Sequence, residues 1–202
     1  PGYKWRMPKK GFVASFVTAP LAEDLVMLGT GSVDLWVRPD GDGVNDADLE
    51  VNLTEVRPDG QEMYVQSGWL RASYGKLSAD STELFPQPVL LPSEITKLEP
   101  GEWRQVRVAI AGFSHVFRKG SRVRLMVDTP GDSRARWRFE LLPFSGKARY
   151  HIGQDTNHAS SVVLPVINGA KVPAGANLPP CPSLRGQQCR SFVDHKNVVT
   201  GL

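Results

Sequence analysis

Hydrophobic and polar positions alternate along much of the chain with the period of a β-strand. Leu49, Val51 and Leu53 are separated by Glu50, Asn52 and Thr54, and Val106, Val108 and Ile110 by Arg107 and Ala109. Side chains of a strand point alternately to its two faces, so each run predicts a strand with one buried face. Val123, Leu125 and Val127 among Arg122, Arg124 and Met126 predict another, as do Ala135, Trp137 and Phe139 among Arg134, Arg136 and Arg138. Stretches 33–37 and 162–167 are more continuously apolar. That pattern predicts central strands covered on both sides.

Arg38-Pro39-Asp40-Gly41, Arg57-Pro58-Asp59-Gly60, Glu99-Pro100-Gly101, Arg118-Lys119-Gly120 and Thr129-Pro130-Gly131-Asp132 punctuate these runs. Proline presets one turn angle and glycine supplies positive φ, which makes them turns. No long capped helical stripe interrupts the series; residues 92–98 have room for one or two turns of helix. Many short strands without βαβ alternation predict an all-β fold, an antiparallel sandwich or jelly roll. Three parts follow: 1–11 as a linker leading in, 12–167 as the jelly-roll β-sandwich, and 168–202 as an irregular tail. The tail should run over the surface, pinned by Leu178, a cysteine loop and Phe192.

Composition narrows the class. The chain has 202 residues, 41% of them hydrophobic and 22% charged, enough for one domain with a full core. No apolar run is long enough for a membrane span, and no basic segment leads into an apolar run and a cleavage site. A net charge of +3 is too small to mark a nucleic-acid protein. The chain opens on Pro1 rather than Met, so part of its function is expected to lie outside this sequence. Cys181 and Cys189 sit in a loop-forming stretch. Two cysteines are too few for a four-ligand zinc site, so a local disulfide is preferred over two surface thiols. Such a bridge would suit an extracellular or periplasmic setting.

The residues that could carry chemistry are scattered. Neither Ser114, with Gly112 before it and Val116 after, nor Ser133, with Gly131 and Ala135, completes the Gly-x-Ser-x-Gly elbow of an α/β-hydrolase. His115, His151, His158 and His195 include no metalloprotease pair. His151, Asp155 and His158 could form a metal site, against which stands a hydrogen-bonded loop, and His115 reads as structural. Acidic residues are too dispersed to nominate a glycosidase pair. Arginines crowd residues 118–138, with Arg122 and Arg124 on one face of a strand, and read as a solvated face or one docked on a partner domain. Of the tryptophans, Trp36 is expected in the core, while Trp69 and Trp103 are the exposed candidates for a docking or sugar-stacking face.

Taken in order, several segments resemble the C-terminal non-catalytic domain of the X-Pro dipeptidyl-peptidase and cocaine-esterase family of serine hydrolases. They are Phe16-Val17-Thr18-Ala19-Pro20, Gly31-Ser32-Val33-Asp34-Leu35-Trp36-Val37, Asp46-Ala47-Asp48-Leu49-Glu50-Val51, Gly68-Trp69-Leu70-Arg71-Ala72-Ser73, Ser114-His115-Val116-Phe117-Arg118-Lys119-Gly120-Ser121 and His158-Ala159-Ser160-Ser161-Val162-Val163. The resemblance spans about residues 12–167 and implies a galactose-binding-like jelly roll packed on an N-terminal α/β-hydrolase domain. The Ser-His-Asp triad would lie in that other domain, so no catalytic residue, metal or cofactor is assigned to this chain. Its implied role is to buttress the catalytic domain and help wall the substrate pocket, with self-association expected when it stands alone. A free-standing carbohydrate-binding module is the alternative.

Overall fold

The alternating runs become strands of two antiparallel sheets in the computed structural model, which describes residues 7, 9–130, 140–143, 148–173, 178, 181 and 189–194. Nine strands occur among them: β1 (Ala14–Val17), β2 (Leu25–Asp40), β3 (Asp48–Val56), β4 (Gln61–Arg71), β5 (Arg104–Phe117), β6 (Arg122–Asp128), β7 (Arg149–Ile152), β8 (Ser161–Val163) and β9 (Arg190–Ser191). One sheet has the order β1-β6-β3-β4-β9, the other β5-β2-β7 with β8 also on β2. Among the described residues no α-helix forms; of 92–98 only Pro92–Glu94 coils, as a 3-10 turn.

The inner faces are those that the alternation selects. Val33, Leu35 and Val37 of β2 and Val106, Val108 and Ile110 of β5 meet Leu49, Val51 and Leu53 of β3 and Val127 of β6 in one buried cluster. Each such side chain contributes about 1.5–3 kcal/mol over leaving it exposed. The result is a jelly-roll β-sandwich, all antiparallel. On one side the sheets pinch together: Gln66 Nε2 on β4 donates to the Gly112 carbonyl of β5 at 2.8 Å. Gly68 lies against β5 so closely that a Cβ there would stand 1.7 Å from the Ala109 carbonyl oxygen.

Three expectations need correcting. Stretch 33–37 is central, but 162–167 is not: β8 pairs only with β2, and Val162, Val166 and Ile167 stay exposed. Pro165 has no N–H to extend a ladder, so the run ends as an edge. Trp36 is not in the core; with Asp34 and Arg38 it alternates to the partly exposed outer face of β2. The tail is not wholly irregular, because β9 joins the edge of β4, Glu62 opposite Arg190. The strand expected around Ala135, Trp137 and Phe139, with Arg134, Arg136 and Arg138, lies outside the described residues, as do Ser133 and His195.

Candidate docking face

On the outer face of the four-stranded sheet, Trp36 is covered by the loop that follows β7. Gly153 N donates to the Trp36 carbonyl at 2.8 Å, and Trp36 N donates to Ser160 Oγ at 3.1 Å. A Cβ at Gly153 would sit 2.6 Å from the His158 carbonyl, so only glycine lets the loop lie this close. His158 meets Trp36 edge-on (centroids 5.2 Å) and stacks on Trp103 at 4.7 Å, and the Arg38 guanidinium lies 5.0 Å from the Trp103 ring centre. Trp103 is therefore already in ring contact with the chain's own side chains.

Histidines expected to share a loop take separate partners. His158 Nδ1 lies 3.2 Å from Asp155 Oδ1, whereas His151 Nε2 faces Asp40 Oδ2 at 3.6 Å. The amides of Asn157 and His158 both donate to Asp155 Oδ1. The His158 amide holds the Asp155 carboxyl below the usual range, helped by the Asn157 amide and the imidazole, against the opposing effect of burial. Among the described residues no three His, Cys, Asp or Glu side chains form a group that could hold a metal ion. His115 Nε2 on β5 lies 2.8 Å from Glu55 Oε2 on β3, a hydrogen-bonding contact that links the two sheets. Burial pushes Glu55 up, but the contact with His115 and the Arg118 amide, which donates to Glu55 Oε1 at 3.2 Å, leave it lowered on balance.

The predicted docking quartet is not brought together. Trp69, on β4, belongs to the five-stranded sheet, while Trp103 sits beside the four-stranded one. Arg122 is exposed. Arg124 is fully buried and leaves the quartet: its Nε donates to Ser15 Oγ (2.8 Å), Nη1 to Glu62 Oε2 (3.2 Å) and Nη2 to the Val193 carbonyl (3.1 Å). Burial pulls its guanidinium below the usual arginine range, partly offset by the Glu62 charge. Alternation places Arg122 and Arg124 on one face but does not reveal that the C-terminal tail covers half of it. Cys181 and Cys189 are joined as a disulfide, Cα atoms 5.6 Å apart.

Docking on another domain leads one to expect an exposed apolar patch, but the sequence does not single out its residues, which lie around the first half of β2. Leu28 there is 58% exposed, its amide donating to the Pro165 carbonyl at 3.0 Å beside Val166 and Ile167. Thr30 Oγ1 and Ser32 Oγ donate to the carbonyls of Leu84 and Glu83, each at 2.6 Å. These bonds fasten the 75–103 connection to β2 while Leu84 and Phe85 (52%) remain in solvent. Val162, paired with the inward-facing Val33, lies on the other face of the sheet and is exposed there as an edge residue. A lone exposed leucine is ordinary, but several large apolar side chains on tied-down backbone make this the candidate docking surface. In the sequence its one signal is the apolar run 162–167, whose pattern predicts a covered central strand.

Two packed antiparallel sheets define a β-sandwich domain. The model of the X-Pro dipeptidyl-peptidase C-terminal non-catalytic domain matches residues 6–160, and the chain belongs to that family. A Mycobacterium bovis protein named as a serine esterase is 26% identical over 168 residues, covering 82% of this chain and 26% of that protein. A CocE/NonD family hydrolase from Staphylococcus aureus superposes with a TM-score of 0.62 at 22% identity, over 79% of this chain and 31% of that one. An α-amino acid ester hydrolase superposes with a TM-score of 0.56 at 23% identity, over 77% and 26%. At that identity the two structures share the fold. This chain spans only about a quarter to a third of the length of each of these proteins. Among the described residues no helix is long and apolar enough to cross a membrane.

Proposed function

We propose that this chain is the non-catalytic jelly-roll domain of a serine hydrolase acting on ester or amide bonds, and that it buttresses the α/β-hydrolase domain of the same polypeptide and its substrate pocket. The observation that carries this reading is the set of exposed apolar side chains beside the first half of β2, Leu28, Leu84, Phe85 and Ile167. Its occupant is the rest of the hydrolase: the serine esterase relative is almost four times as long as the matched stretch, and the family is defined by lying beside a catalytic partner. In this role the domain supplies position rather than chemistry, since fixing pocket walls preserves the near-attack geometry on which rate depends. Sugar stacking is less well supported, because Trp103 already stacks on His158 and lies near Arg38.

Leu28→Glu and Phe85→Glu in the full-length hydrolase test this. Both side chains are exposed in this domain, so its own melting temperature should hold. The kcat/KM for an acyl or amino-acid ester should fall about 10-fold or more as the pocket loses its support. Kinetics within twofold of the parent for both variants would refute the docking assignment.

A further inference from the structure

The outer face of the five-stranded sheet buries charge under both ends of the described chain. Met7 and Val13 cover Tyr64 and Met126 on the N-terminal side. On the other side Glu62 of β4 and Arg124 of β6 are fully buried. An arginine cannot shed its proton at neutral pH, so its burial demands partners. Several of these arrive from the tail. Arg190 Nε donates to Glu62 Oε2 at 2.8 Å, the Val193 carbonyl takes Arg124 Nη2, and the Phe192 ring centre lies 5.0 Å from the Arg124 guanidinium. Thr54 Oγ1 holds the other Glu62 oxygen at 2.8 Å. The Phe192 amide donates to the Gly60 carbonyl at 3.0 Å, extending the two-residue pairing of β9.

A second anchor lies directly before this segment. Cys189, adjacent to Arg190, is bridged to Cys181, and Arg57 Nη1 lies 3.5 Å from the Cys181 sulfur. Arg57 begins the turn between β3 and β4, where Gly60 N donates to its carbonyl and Gln61 N to Asp59 Oδ1. Disulfide and β9 therefore converge on one hairpin, although the ladder between tail and sheet is only two residues long.

We infer that residues 189–193 form a redox-sensitive latch, in which the Cys181–Cys189 disulfide holds Arg190 and Phe192 over Glu62 and Arg124, and a dithiol reductant releases them. One thiolate of the reductant attacks the Cys189 sulfur, and the Cys181 sulfur leaves as a thiolate. The Arg57 guanidinium favours that leaving group. The second reductant thiol then closes the reductant's own disulfide and frees Cys189. Two electrons pass to the cysteine pair, and the two protons of the dithiol end on its sulfurs. Opening the bridge restores chain entropy to a segment whose described hold on the sheet is then the two ladder residues, the Arg190–Glu62 ion pair and the contacts of Phe192 and Val193 with Gly60 and Arg124. The latch lies on the opposite sheet from the apolar surface and stands whether or not that surface docks a hydrolase domain.

Amide hydrogen exchange of the 202-residue chain, with and without dithiothreitol, tests the latch. Amides of residues 190–192 should exchange about 10- to 100-fold faster after reduction, while the β2–β5 ladder keeps its protection. The Cys181→Ser/Cys189→Ser double variant should show the fast rates with or without dithiol. Arg190→Ala should speed the same amides with the disulfide intact, since it removes the Glu62 bond. Unchanged exchange at 190–192 on reduction, equal acceleration throughout the core, a dithiol response in the double variant, or no effect of Arg190→Ala would each overturn the latch.

Discussion

Replacing Gly68 with alanine tests how the two sheets meet. The added Cβ would lie 1.7 Å from the Ala109 carbonyl oxygen, 2.7 Å from its carbon and 3.3 Å from the Ile110 Cα. All three atoms are backbone, so no rotamer change relieves the clash and β4 must withdraw from β5. Overpacking of this kind costs about 1–3 kcal/mol, and the Gln66–Gly112 hydrogen bond, about 1 kcal/mol, goes with it. With loosened packing around Leu70, Val108 and Ile110, the total is about 3–5 kcal/mol, a large share of a domain's usual stability. At about 2–4 °C per kcal/mol for a chain of this size, the melting temperature should drop about 6–20 °C. Gly112→Ala is the control, because its Cβ would meet only ordinary contacts at 3.8 Å and beyond. Thermal melts followed by circular dichroism measure both. If Gly68→Ala melts within 2 °C of the parent, the close approach of β4 and β5 is wrong.

Other consequences can be measured on the same domain. The lowered carboxyl of Glu55 contributes stability that is present in full above its ordinary value of 4.5 and fades as the pH falls through its lower folded value. The urea midpoint of Glu55→Gln should therefore lie below the parent's at pH 7 and approach it toward pH 3; a gap independent of pH would contradict the assignment. The Tyr150 hydroxyl donates to the Asp46 carbonyl at 3.0 Å, and burial, with the charges of Asp48 and Asp46, pushes it up to about 12. The protonated form stabilises the fold below the ordinary value of 10, and this contribution drains away between pH 10 and 12. Ultraviolet titration of parent and Tyr150→Phe should show one tyrosine ionising late; its ionisation near pH 10 would contradict the buried geometry. Alone, the domain should associate through its apolar surface as concentration rises, and Phe85→Lys should weaken this on size-exclusion chromatography. A parent chain that stays strictly monomeric would remove the basis for a docking face.

What the sequence disclosed follows from what periodicity reports. Alternation at 49–54, 106–110 and 123–127 marks strands with two unlike faces, and these became β3, β5 and β6 with the expected apolar positions inside. The ordered motifs then gave the family that the comparison confirms. Alternation says nothing about what covers the polar face, so Arg124 reads as part of a solvated or partner-docked face although the chain's own tail covers it. Trp36 looked like core because apolar neighbours surround it in sequence, yet its position in the alternation sends it outward. The apolar residues of 162–167 pointed to a strand covered on both sides, whereas β8 pairs with β2 as an edge and Val162, Val166 and Ile167 are exposed. The cysteine pair was legible from its short spacing, whereas its neighbour's bond to Glu62, across 128 residues, depends on tertiary contacts that spacing does not encode.

The most direct test of the central claim compares amide exchange in the isolated chain with exchange in the full-length polypeptide. Docking on a catalytic domain predicts added protection at residues 28–32, 82–85 and 161–167, where the apolar surface lies, and little change on exposed stretches elsewhere, such as 99–102. Identical exchange at those three segments in both forms would contradict the claim that this face supports the hydrolase.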